Sequence, residues 1–125
     1  MKNATFDLAG GKLIAFVKCQ PRRDGSYALR LWEADANEFV KPSPWHGNFV
    51  NTDDDDYTMP GPPARNDRRQ LQCIAVVAVP PGAKPVAVTL IVTQDDEELA
   101  RDSAVIPPDS PIGMASLWIE LERGE

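Results

Sequence analysis

Residues 70–94, QLQCIAVVAVPPGAKPVAVTLIVTQ, constrain the fold more than any other stretch, because they set two β-branched apolar runs on either side of a proline–glycine break. Val, Ile and Thr are stiff at χ1 and crowd a helix, whereas a pleated strand accommodates them. In the first run Leu71, Cys73, Ala75, Val77 and Val79 share one face. Ile74, Val76 and Ala78 make the opposite face apolar too, the pattern of a central strand covered on both sides. In the second run Val86, Val88, Leu90 and Val92 share a face, and Ala87, Thr89, Ile91 and Thr93 make a mixed one. Pro80, Pro81, Gly82 and Pro85 end both runs, since proline cannot donate to a sheet ladder. The expectation is a hairpin that carries most of the core.

The rest of the chain repeats this style in shorter units. Asn3–Leu8 reads as a first strand with Phe6 and Leu8 on one face, broken by Gly10 and Gly11. Lys12–Gln20 puts Leu13, Ala15, Val17 and Cys19 inward. Asp24-Gly25 is hairpin turn chemistry, so Ser26–Glu33 is expected to pair with the preceding strand, with Tyr27, Leu29 and Leu31 inward and Ala28, Arg30 and Trp32 outward. Residues 42–69 are irregular, proline-rich and acidic, with short edge strands at Phe49–Val50 and Tyr57–Met59. Leu99–Ile106 reads as a strand antiparallel to 86–93, against a competing helix over Asp95–Asp102, whose Glu, Leu, Ala and Arg favour helix. Ile112–Leu121 closes the chain with Ala115, Leu117, Ile119 and Leu121 on one face and Met114, Trp118 and Glu120 on the other.

About seven to nine short strands, with no sustained helical period, define an all-β antiparallel sandwich of immunoglobulin-like architecture. A length of 125 residues suits one domain spanning 1–125. Twelve prolines, close to twice the usual ~5%, punctuate strands and oppose long helices.

Charge excludes some functions. Residues 1–52 carry seven basic and five acidic groups, and residues 53–125 six basic and fourteen acidic, for a net −6. Such a surface repels a phosphate backbone, so nucleic acid is not an expected partner. Neither a signal-peptide pattern nor a membrane-length apolar run occurs, so no membrane association and a cytoplasmic location are expected.

Few residues suggest chemistry. Cys19, Trp32 and Cys73 follow the order of the Cys…Trp…Cys pattern of immunoglobulin domains, in which Cys19 and Cys73 would bridge two sheets. Position 71 is Leu rather than the tyrosine-corner Tyr, and Trp32 shares a face with Arg30. Buried free thiols are therefore the preferred reading over a Cys19–Cys73 disulfide. Asp53, Asp54, Asp55 and Asp56 offer oxygen ligands for Ca²⁺, but without the alternating spacing of a calcium loop. Adjacent residues on an extended chain also point opposite ways, which favours a solvated loop. His46 is the only histidine and lies in a proline-rich loop without a nucleophile motif. Glycine-rich phosphate cradles are absent.

The aromatic residues carry the functional expectation. The strand phases place Trp32 and Trp118 opposite the main apolar rows and beside charged neighbours, which marks a contact surface. A phase slip or bulge would instead bury one of them. The reading is a non-catalytic protein-binding or assembly module, self-associating as a homodimer or holding a protein partner through Trp32, Trp118 and Arg30, with Trp45 and Tyr57 at the rim. The alternative is a carbohydrate- or cation-dependent module using an exposed Trp (Trp45 or Trp32) and the Asp53–Asp56 run. No cofactor is expected beyond that Ca²⁺. An enzyme, acting through Asp54 or Asp56 with His46, ranks behind both.

Overall fold

The computed structural model describes residues 1–49 and 56–124. Among them are nine strands: β1 (Lys2–Phe6), β2 (Leu13–Gln20), β3 (Gly25–Trp32), β4 (Trp45–Asn48), β5 (Asp56–Thr58), β6 (Gln70–Ala78), β7 (Val86–Gln94), β8 (Glu97–Ile106) and β9 (Ile112–Arg123). A single 3₁₀ turn covers Pro63–Asn66, and the described residues contain no α-helix. The protein is all-β, with two sheets packed face to face. One sheet has five strands in the order β1-β9-β6-β3-β4, and the other four, β5-β2-β7-β8. All pairings are antiparallel except β1 with β9, which run parallel with Lys2 opposite Ile119 and Phe6 opposite Arg123.

The core forms because each strand alternates. Leu29 and Leu31 of β3, Leu71, Cys73, Ala75 and Val77 of β6, and Leu117, Ile119 and Leu121 of β9 face Leu13, Ala15 and Val17 of β2 and Val86, Val88, Leu90 and Val92 of β7. Each fully buried Leu, Val or Ile contributes roughly 1.5–3 kcal/mol relative to exposure. β8 is a strand throughout, paired with β7 from Val86–Ile106 to Gln94–Glu97, so the ladder overrides the local helix propensity of its first half.

Two expected hairpins are overturned. β6 and β7 do not pair: β6 lies between β3 and β9, and β7 between β2 and β8, in the other sheet. Their apolar faces look at each other across the core, and residues 79–85 cross from sheet to sheet. The prolines explain this. A tight hairpin turn needs positive φ at its central residues, and Pro80 and Pro81 forbid it, leaving Gly82 (φ 77°) as the one left-handed residue of the link. β2 and β3 are likewise in different sheets. Gly25 is not a turn glycine; it opens β3 opposite Val77, where a Cβ would run into the Val76 carbonyl. The neighbouring Asp24 carbonyl accepts the Ala78 N–H at 2.8 Å, tying this crossing to β6.

Other details shift. The outer face of β6 is not covered as expected: Ile74 is half-buried and Val76 is 38% exposed. Leu8 turns outward, and Ala4 joins Phe6 in the core. Residues 42–69 do supply two short edge strands, but the first is β4 at Trp45–Asn48, followed by a buried Phe49; the expectation for Val50 falls outside the described residues.

Polar side chains pin the connections. Gln94, buried at the end of β7, accepts the Asp7 N–H at 2.8 Å and donates to the carbonyls of Asp7 (2.8 Å) and Gly11 (2.9 Å). Arg69 grips Glu33 with Nε (2.8 Å) and Nη2 (3.3 Å) and the buried Asn66 with Nη1 (3.0 Å), locking the 3₁₀ turn to the end of β3. Ser43, also buried, bonds both the N–H and the carbonyl of Leu31, so a loop side chain extends the ladder at β3. On the opposite flank β1 covers only residues 119–123 of β9, and Asp102 of β8 accepts the Trp118 N–H at 3.0 Å on that open stretch.

Candidate binding face

The outer face of the five-stranded sheet gathers the residues on which function was expected to rest. Strict alternation, with no bulge in the β3–β6–β9 ladders, sends Trp32 and Trp118 outward beside the buried Leu31, Leu117 and Ile119. Register then sets them in adjacent rows: Arg30, Gln72 and Trp118 in one, Trp32, Gln70 and Glu120 in the next. Trp32 is held in place. Its indole N–H donates to Gln72 Oε1 at 2.9 Å, and Phe39 lies 4.3 Å from it centroid to centroid. Arg30 sits 5.5 Å above the Phe39 ring, a cation–π contact, while its Nε is buried with no acceptor.

Trp118 divides two shallow clefts. One, of about 690 Å³, is lined by Met1, Lys2, Gln70, Asp102 and Trp118. The other, of about 410 Å³, runs from Trp118 and Gln70 to Trp32 and the 33–37 loop. Further along the same strands the face is apolar: Val76 pairs with Met114, and Ala78 with Ile112, with Met114 69% and Ile112 62% exposed. Of the outward residues of β3, β6 and β9 from Ser26 to Trp32, Gln70 to Ala78 and Ile112 to Glu120, Arg30 and Glu120 are the ones that carry charge. Sequence reasoning missed Phe39, Met114, Ile112 and the exposed half of β6. Period-two alternation in Ile112–Leu121 marked Met114 as outward; the belief that β6 was covered on both sides hid the continuity.

The other candidates lie elsewhere. Trp45 and Tyr57 are not at the rim of this face; both are half-buried and turn into the edge between β4 and β5. There Trp45 stacks on Tyr57 at 5.7 Å, and the Tyr57 and Tyr27 hydroxyls meet at 2.6 Å, closing the sandwich with an aromatic cluster that includes Phe49. His46 is exposed on β4 across from Ala28. Asp53, Asp54 and Asp55 fall outside the described residues; Asp56 is exposed on β5, opposite Phe16. Among the described residues no group of three or more His, Cys, Asp or Glu could hold a metal ion, and no helix is long and apolar enough to cross a membrane.

Cys19 and Cys73 are free thiols. Burial pushes Cys73 up to about 12. Burial also raises Cys19, opposed by a backbone hydrogen bond at Arg23 and the charges of Arg23 and Arg22. Neither is poised as a nucleophile.

No protein-family model matches the chain, and comparisons with curated proteins and with solved structures found no match either.

Proposed function

We propose that the protein is a non-catalytic assembly module, immunoglobulin-like in its layers, that self-associates through the outer face of its five-stranded sheet. The supporting observation is the composition of that face: Trp32, Trp118, Phe39, Met114, Ile112 and Val76 on one continuous surface, in a chain whose net charge is −6. Depletion of charge with enrichment of Trp, Phe, Met and Arg is the signature of an interface core. The strands of this sheet run from 4 to 12 residues, and at about 3.4 Å per residue and 4.8 Å between strands they present on the order of 600 Å², somewhat under the ~800 Å² each partner gives to a standard-size interface. Its central charges, Arg30 and Glu120, are of opposite sign, with Glu122 beyond them at the β1 edge, so a two-fold axis can set unlike charges opposite each other. The immunoglobulin likeness rests on this sheet, with β1 parallel to β9 beside β6, β3 and β4. The crossings β2–β3, β6–β7 and β8–β9 support a likeness of layers rather than of strand-by-strand connectivity.

The test is sedimentation velocity over a concentration series. Wild type is expected to dimerise. Trp118→Ala should weaken the dimer by at least about thirtyfold, since a central Trp hot spot is worth 2 kcal/mol or more. Met114→Glu should abolish it. A wild type that stays monomeric at high micromolar concentration sinks the reading. A second reading, an oligosaccharide site, is favoured by the two clefts that flank Trp118 with Gln70 between them. Quenching of Trp emission by soluble oligosaccharides in a monomeric protein would select it.

A further inference from the structure

At the opposite end of β3 and β6 from Trp32 and Gln70, three chain crossings and the end of β4 border an open hollow of about 500 Å³. Phe49, Val79, Pro80, Pro81 and Pro111 make its apolar walls. Arg22, Arg23 and Asp24 supply its charge. The walls are braced by backbone hydrogen bonds: Ala78 N–H to the Asp24 carbonyl at 2.8 Å, Val79 N–H to the Pro111 carbonyl at 2.8 Å, and Phe49 N–H to the Gly25 carbonyl at 3.0 Å. The hollow is therefore formed before any ligand arrives, as small-molecule sites usually are.

Its electrostatics are unusual for this chain. Fourteen acidic groups follow residue 52, yet neither Arg22 nor Arg23 reaches a carboxylate among the described residues. Arg23 rests its Nη1 on the Arg22 carbonyl at 3.1 Å, and its Nε is buried with no acceptor among the described residues. A donor buried without a partner is costly and calls for a bound group or water to satisfy it. Among the described residues, two guanidinia less one carboxylate leave the lining at +1, the complement of a monoanion. A guanidinium fork matches a carboxylate in geometry, and the proline rings, with the small exposed part of the buried Phe49 behind them, offer C–H surface to an apolar body. A phosphate brings excess charge and leaves those walls wet.

We propose that this hollow binds a small aromatic carboxylate, with its ring against the prolines and its carboxylate on Arg22 and Arg23. The site is independent of the self-association face.

The experiment is an NMR titration of the full chain with benzoate at fixed ionic strength, following the amides of Gly25, Ala78 and Val79. Benzamide (ring without charge), acetate (charge without ring) and inorganic phosphate are the comparators. Saturable shifts are expected with benzoate, at least tenfold tighter than with any comparator. Arg22→Gln and Arg23→Gln should each weaken benzoate about tenfold. Arg22 is exposed and its side chain makes no ion pair among the described residues, so its variant keeps the fold, verified by an unchanged spectrum away from the hollow. Benzoate binding no tighter than acetate, phosphate binding tighter than benzoate, or Arg22→Gln and Arg23→Gln binding benzoate like wild type would each overturn the assignment.

Discussion

Replacing Gln94 with leucine tests whether buried side-chain amides, rather than apolar packing alone, hold the connections of this sandwich. The side chain is 5% exposed and makes three hydrogen bonds to backbone, at 2.8, 2.8 and 2.9 Å, all to the β1–β2 connection. Leucine fits the volume and supplies none of them. At about 1 kcal/mol net per bond, the loss totals roughly 3 kcal/mol if all three backbone groups stay dry, and nearer 2 if water reaches the exposed Asp7 and Gly11. For a domain of this size each kcal/mol lowers Tm by roughly 4 °C, so a fall of about 8–12 °C is expected by calorimetry. Amide exchange supplies the local readout: protection of the Asp7 N–H should fall while the β6 amides lose only what global destabilisation requires. Gly10→Ala offers a geometric control. A Cβ there would stand 2.5 Å from Gln94 Nε2 and displace the same amide. The two substitutions should therefore be strongly non-additive, the double variant costing little more than either single. Gln94→Leu within 0.5 kcal/mol of wild type, or simple additivity with Gly10→Ala, would refute the reasoning.

Three further outcomes are expected. Arg69→Ala should destabilise by about 2–3 kcal/mol in urea denaturation, because the Glu33 carboxylate and the buried Asn66 amide together lose the guanidinium that both accept from, and Arg69→Lys should recover only part of it. Asp102→Ala should expose the Trp118 amide to exchange and cost about 1 kcal/mol, whereas Asp102→Asn, whose amide oxygen can still accept, should preserve most of the protection. Cys73 has a folded pKa raised above its unfolded value, so the protein sheds that proton on unfolding. Its contribution is intact below about pH 9 and stability then falls by about 1.4 kcal/mol per pH unit as pH climbs toward about 12. Cys73→Ala should flatten that alkaline slope, and a thiol reagent at pH 8 should leave Cys73 unmodified until denaturant is added.

What could be read from the chain alone follows a physical division. Period-two alternation reports which way a side chain points, so the inward rows of β2, β3, β6, β7 and β9 were legible, as was the outward setting of Trp32 and Trp118. Pairing is not a local property. Asp24-Gly25 and Pro80-Pro81-Gly82 resemble hairpin turns, and nothing within either stretch says that the strands it joins enter different sheets. The informative signal was Pro80-Pro81 itself, since two fixed negative φ values exclude a primed turn. The continuity of the candidate face was hidden for the same reason: Val76 and Met114 become neighbours only through the β6–β9 ladder. The Arg22–Arg23 hollow was illegible, because its walls come from four separate segments.

The parallel pairing of Lys2–Phe6 with the Ile119–Arg123 stretch sets a schedule for synthesis. A nascent chain emerging from the ribosome has its first strand in hand long before the partner exists, and β2 and β3 wait likewise for β7 and β6. The opening half of the polypeptide thus leaves the exit tunnel with only the short β3–β4 and β2–β5 ladders within its reach, and its apolar faces stay uncovered until β6, β7 and β9 follow. Such long-range wiring predicts slow, holdase-sensitive folding, and a ribosome stalled near residue 100 would display a protease-labile chain rather than a half-built sandwich.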